Sequence, residues 1–201
     1  MNGYSILRLQ RFLAPLPNLR RCELCRETIP DDHFHVFNTE TRKLLCACRA
    51  CRLLFTREGA ANGKYRTVPN RYVRLPAGLL TGIHWEELQI PVAIAFFVFH
   101  SSYGYPSAFY PGPAGLAESQ LSPAVWKELG EAWPILKTLA PDVEAVLAYK
   151  KGESVAWYLV PIDACHELMG RMRQHWKGFS GGEEVWNQIE GFFEALEVRS
   201  S

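Results

Sequence analysis

An α+β fold is predicted by three features of the chain. Two cysteine pairs at CxxC spacing, Cys22/Cys25 and Cys48/Cys51, bracket two alternating segments and lead into a helical one. A Val/Ile/Phe-rich run at residues 90–100 and an alternating pair of segments at residues 143–160 read as strands. Two stretches after Val160 carry apolar residues at helical spacing. Together these features describe a small treble-clef or zinc-ribbon-like metal module packed against a larger α/β part that ends in two helices. The expected division is residues 1–78 for an N-terminal helix, the metal module and a basic connector, and residues 79–201 for the α/β domain.

The elements follow in order. "YSILRLQRFL" has the spacing of a short amphipathic helix, which "APLPNL" ends because each proline lacks a donor. "HFHVF" and "RKLLC" alternate like strands with "NTET" as their turn, and "RACRLLF" starts a helix. "NGKYRTVPNRYVRLPAG" is basic and interrupted by proline and glycine, so it reads as an extended connector. "IPVAIAFFVF" reads as a buried strand, and "AFYPGPAG" as a loop by its prolines and glycines. "LSPAVWKELGEAWPILKTL" reads as a helix capped by Ser122 and broken at Pro134. "VEAVLAY" and "SVAWYLV", joined by "KKGE", form a hairpin. The apolar stripes of the closing helices are Cys165, Leu168, Met169, Met172 and Trp176, then Val185, Ile189, Phe192, Phe193 and Leu196. Ser180 and Glu183 have the spacing of a capping box.

The cysteines carry the chemistry. Cys22-x2-Cys25-x22-Cys48-x2-Cys51 supplies four thiolates, and two residues between ligands let a tight knuckle aim both sulfurs at one ion. Four thiolates in a tetrahedron suit Zn2+, which has no geometric preference of its own to violate. An iron–sulfur cluster accepts the same ligands. A closed site of this kind has no position for water or substrate, so its role is structural. Five of the six cysteines crowd into residues 22–51, and no secretory signal is recognisable, so a metal site is expected in place of a disulfide framework, in a cytoplasmic protein.

Cys46, His33 and His35 remain. His33 and His35 share a strand face, as do Cys46 and Cys48, because side chains repeat every two residues. If the strands pair, a histidine approaches Cys46 across the ladder. That arrangement makes either a second small site or an exchange of ligands within the first. The alternative is that both histidines are half-exposed and Cys46 is a small buried hydrophobe. "CELC…HFH…LLCACRAC" also resembles a ββα-metal (HNH) nuclease in part, but Arg52 stands where that family's helix histidine is expected, and no asparagine is well placed in the loop.

Elsewhere the sequence is less specific. His100, Tyr103, Tyr105 and Tyr110 either line a pocket or are polar tips of core aromatics. Cys165 and His166 are helix neighbours about 100° apart and do not form a nucleophile–base pair. "KGFSGG" reads as a structural turn. No phosphate loop, nucleotide fingerprint, GxSxG elbow or paired-carboxylate motif is present, and no apolar run reaches the ~18 residues of a membrane span. The formal charge of +1 hides an asymmetry. Residues 1–78 carry fourteen Lys and Arg against six Asp and Glu, a net of +8, and residues 79–201 carry a net of −7. Such a split fits a basic surface for nucleic acid or an acidic protein, or an attraction between the two parts.

"CELC", "LLCACRAC", "AFYPGPAGLAES", "LVPIDACHELMGRMRQHWKGFSGGEEVW" and "IEGFFEAL" resemble an uncharacterised bacterial family over roughly residues 20–196. Its genes tend to lie among accessory genes of uptake NiFe hydrogenases. The resemblance carries no catalytic or binding residues over to this chain. It implies a context: a non-catalytic, zinc-binding accessory protein of hydrogenase assembly or function, whose partner is a hydrogenase subunit or maturation factor. The alternative is a nucleic-acid-binding zinc protein, with a degenerate nuclease behind it.

Overall fold

The computed structural model describes residues 20–57, 59–76, 85–102, 104–112, 115–119, 124, 131, 134–178 and 181–200. The expected N-terminal helix, the helix after Ser122 up to Pro134, Tyr103 and Ser180 lie outside these residues. The chain divides into two compact units, residues 1–65 and residues 66–201.

The first unit is built on a hairpin of β1 (Phe34–Asn38) and β2 (Lys43–Ala47), followed by the short helix α1 (Arg49–Leu54). Asn38 explains the turn. Its carboxamide oxygen accepts from the amides of Glu40 and Thr41, at 3.0 and 3.1 Å, so the side chain supplies the acceptor that a turn's backbone lacks. β3 (Tyr65–Thr67) completes a three-stranded sheet in the order β2-β1-β3. Cys22, Ile29, Val36, Ala47, Cys48 and Cys51 form the unit's small core. The apolar content of that core is modest, and half of its members are cysteines.

The second unit is a six-stranded antiparallel sheet in the order β4-β9-β8-β5-β6-β7. Its strands are β4 (Val73–Leu75), β5 (Ile94–Phe99), β6 (Pro106–Gly112), β7 (Gly115–Glu118), β8 (Glu144–Lys151) and β9 (Ser154–Pro161). The β8–β9 hairpin closes at Lys151 and Ser154 through the two-residue loop Gly152–Glu153, where Gly152 takes φ 63°. Glycine at the first loop position is what a type II′ turn needs. On one sheet face Ala95, Phe97, Ala108, Val146, Ala148, Trp157 and Leu159 pack with Leu88, Ile90 and Leu139. The other face meets α2 (Ile162–His175) and α3 (Gly182–Arg199). There the Phe193 ring stacks on Tyr149 at 4.3 Å.

Both closing helices bury their expected stripes, except at Met169, which is partly exposed, and at Trp176. That residue caps α2 with extended backbone and is 39% exposed, because the helix has already ended. The capping box at Ser180 and Glu183 is not how α3 begins. Its N-cap is Gly181, at φ 87°, with no side-chain cap.

Two expectations need correction. The "AFYPGPAG" segment forms most of β6 and the start of β7. Pro111 is tolerated in β6 because it faces Leu116 of β7 and lies past Phe109, the last β6 residue paired with β5. A missing donor there breaks no β5 rung. The connector likewise contains β3 and β4, strands of only three residues each.

Candidate metal centre

The first knuckle is a tight turn. The Cys22 amide donates to Glu27 at 2.8 Å, and the Arg26 amide returns to the Cys22 carbonyl at 2.9 Å, with Arg26 at φ 69°. The second knuckle is the start of α1. Cys48 is its N-cap and accepts from the Cys51 amide through sulfur at 3.4 Å. The hairpin between the knuckles returns the chain so that both CxxC pairs converge. The four sulfurs of Cys22, Cys25, Cys48 and Cys51 lie within 4.8 Å of one another, and Cys25 and Cys48 are 3.6 Å apart. Metal–sulfur bonds of about 2.3 Å at tetrahedral angles put sulfurs about 3.8 Å apart. The cluster can therefore hold a metal ion with little rearrangement.

The thiols already respond to one another. Burial pushes Cys22 up, but amide donors from Cys25, Cys48 and Leu24 outweigh it and bring its pKa down to about 6. Cys51 is pushed far up, first by burial and then by the neighbouring thiols. For Cys48 the Cys51 amide favours the thiolate, yet burial and the thiol of Cys25 leave its pKa raised. The thiolate is thus favoured at Cys22 and the thiol at Cys48 and Cys51. A divalent cation reverses that penalty, because each ligand must lose its proton to bind.

Cys46, His33 and His35 are brought together separately. His35 lies directly opposite Cys46 in the β1–β2 register, and one ligand atom from each of the three residues falls within 4.8 Å of the others. All three are partly exposed. Cys46 packs against the small core that contains Cys48 but belongs to a different donor group. β2 ends at Ala47 and Cys48 turns into α1, so the two-residue period stops between them. The residue that sequence reasoning passed over is Glu23, a spacer inside the first CxxC. Its carboxylate accepts from the Cys46 amide at 2.6 Å. Burial, then the Glu23 charge, raises the Cys46 pKa. Arg52, at the position of the missing nuclease histidine, places its guanidinium 4.4 Å above the Phe34 ring.

The aromatic group around residues 100–110 is split between sheet faces. Tyr105 and Tyr110 pack on the Phe97 face, and buried His100 meets Phe109 edge-on, next to Phe96. Strand alternation separates them. His100 Nδ1 lies 3.8 Å from Asp142, whose carboxylate also accepts from the Ser101 amide and hydroxyl. The serine hydroxyl faces the carboxylate and not the imidazole, so the three do not form a hydrolytic triad. A cleft of about 730 Å3 in the second unit, lined by Phe96, Leu116, Met169, Met172 and Trp176 among others, reaches Cys165. That thiol is 1% exposed and burial pushes its pKa up, so it is an inert core sulfur.

A family model matches residues 21–200, from the residue before Cys22 to the end of α3. The chain belongs to DUF5947, a family of unknown function. No curated protein and no solved structure matches it. The DUF5947 match takes in both cysteine knuckles and the whole six-stranded unit. No helix among the described residues of this DUF5947 chain is long and apolar enough to cross a membrane.

Proposed function

We propose that this chain is a cytoplasmic, non-catalytic accessory protein in which Cys22, Cys25, Cys48 and Cys51 hold one zinc ion as a structural element. The observation that carries the reading is the convergence of two CxxC knuckles on one tetrahedral volume, where four protein sulfurs leave no vacancy for a substrate. The knuckle–hairpin–helix unit has a small core of its own, so metal binding supplies folding energy that apolar burial does not. Elemental analysis of the purified protein tests this. One equivalent of zinc bound by these four cysteines is expected, and neither zinc nor iron would end the proposal. Iron with sulfide and visible absorption would assign the cluster as iron–sulfur instead.

The partner we propose is a hydrogenase subunit or maturation factor, on the strength of the family resemblance to genes found beside uptake NiFe hydrogenases. Arg66, Arg71 and Arg74 already pair with Asp142, Glu144 and Glu197, so part of the basic excess of residues 1–78 is answered within the chain, which removes support from the nucleic-acid reading. Deleting the gene in a hydrogen-oxidising host should lower hydrogen oxidation at unchanged hydrogenase transcription. Pull-down should recover a hydrogenase component. Normal hydrogen oxidation, together with a shift of nucleic acid at physiological salt, would replace this reading with the nucleic-acid one.

A further inference from the structure

Beside the four-cysteine cluster, the β1–β2 hairpin carries a second set of donors. His35 and Cys46 are cross-strand partners, and directly opposed residues of an antiparallel pair project from the same face. His33 precedes β1 by one position and shares that face with His35; the two rings are 4.8 Å apart, centre to centre. The His33 tautomer follows from its contacts. Nδ1 lies 2.8 Å from the Asp31 carbonyl and 3.0 Å from the Pro30 carbonyl. A carbonyl oxygen only accepts, so Nδ1 carries the proton and the lone pair of the neutral ring is on Nε2. Nε2 is buried and has no hydrogen-bond partner among the described residues. A histidine whose one nitrogen donates to a backbone carbonyl while the other is kept bare is oriented as metal-binding histidines are.

We propose that His33, His35 and Cys46 form a second metal site, distinct from the four-cysteine one, which takes a divalent ion of the zinc class and leaves one coordination position to an exogenous ligand. Two imidazoles and one thiolate are a borderline donor set that suits zinc, cobalt or nickel and disfavours calcium and magnesium. Metal–nitrogen bonds of about 2.0–2.1 Å and a metal–sulfur bond of about 2.3 Å place tetrahedral donors about 3.3–3.6 Å apart, so the observed spread of up to 4.8 Å closes with side-chain rotation. Glu23 is already engaged by the Cys46 amide, which makes it an orienting neighbour of the thiol. Three protein ligands with a fourth position open is the arrangement of exchangeable and reactive zinc sites, whereas four thiolates close the structural one. Solvent reaches this face of the hairpin, because His33, His35 and Cys46 are each partly exposed.

The site is independent of any hydrogenase role, and stoichiometry tests it directly. The full chain is saturated with zinc, dialysed against a weak competing chelator, and analysed for metal. Two equivalents are expected for the natural sequence. One equivalent is expected for Cys46→Ser and for the double variant His33→Gln/His35→Gln, with amide spectra showing the hairpin retained. The double variant keeps the test sound if Cys46→Ser fails to fold. Cobalt-loaded protein reports the open position. Azide should change the visible spectrum of the natural sequence and leave that of the double variant unchanged. One equivalent in the natural protein, or two in the double variant, overturns the proposal while leaving the four-cysteine site standing. A spectrum blind to azide overturns the open position.

Discussion

Cys25 and Cys48 hold their sulfurs 3.6 Å apart across twenty-three positions of sequence. They are free thiols, so this closeness is produced by the turn at Asn38 and the start of α1 and not by a covalent bond. The contact is where the fold of the first unit and its metal chemistry meet, and it makes the first prediction specific.

Cys22→Ser, or a strong chelator, should remove the metal and unfold residues 20–65. Cys22 is fully buried, and structural zinc contributes about 10 kcal/mol or more to folding in small modules. Backbone amide spectra should lose the β1–β2 signals while those of β8, β9 and α2 persist. Loss of both sets would mean that the two units do not fold separately.

Phe192→Ala should destabilise the second unit by about 3–5 kcal/mol. The ring is 5% exposed, meets Phe193 edge-on at 5.5 Å and lies beneath the Arg171 guanidinium. Urea unfolding followed by tryptophan fluorescence reads the loss directly. A change below about 1 kcal/mol would show that neighbours fill the space.

The acid limb of the stability curve should depend on Asp142. Burial pushes its carboxyl up, but the His100 imidazole 3.8 Å away, hydrogen bonds from the Ser101 amide and hydroxyl, and nearby Arg66 overturn that and hold it below its ordinary value. A depressed carboxyl binds its proton more readily in the unfolded chain, so its contribution is complete at higher pH and is lost as pH falls through the lowered folded value. Asp142→Asn should therefore flatten the decline that begins near about pH 4. Urea midpoints collected from pH 6 down to pH 2.5 would show equal slopes for both proteins if the argument is wrong.

Gly181→Ala should cost about 1–3 kcal/mol, as expected for a side chain forced into a positive-φ conformation. The position has φ 87°, and an added Cβ would meet Val185 Cγ1 at 2.7 Å. Thermal unfolding measures the loss. Gly191→Ala, which has nothing within 4 Å of the added carbon, is the control and should be neutral or stabilising.

Legibility in the sequence followed the physics of each element. The CxxC pairs, the β8–β9 hairpin and the α3 stripe were readable because spacing, alternation and helical period each left a repeated mark. β6 and β7 were obscured by Pro111 and its neighbouring glycines, since composition does not say that the β5–β6 pairing ends at Phe109, before that proline. β3 and β4 are too short for three residues to show a period. The grouping of His100 with Tyr105 and Tyr110 failed because nearness along a strand says nothing about which face a side chain takes. His35 opposite Cys46 was open to anticipation from the two-residue period, but the register that pairs them is set by the Asn38 turn. The tautomer of His33 depends on carbonyls that only the folded loop presents.

The two sheets also differ in how far apart in the chain their partners lie. Among the described residues, every candidate metal ligand of the first unit falls between Cys22 and Cys51, and β1 and β2 are joined by a four-residue turn. β4, by contrast, pairs among the described strands with β9 alone, matching Val73 to Leu159 and Leu75 to Trp157. During synthesis from the N-terminus, β4 leaves the ribosome with no strand to join until more than eighty further residues have followed it. The cysteine unit has all its parts by then and can acquire its ion while the larger sheet is still incomplete. With the proposed ion bound there, metal supply during synthesis, and not the slower closure of a long-range sheet, would set when residues 20–65 become ordered.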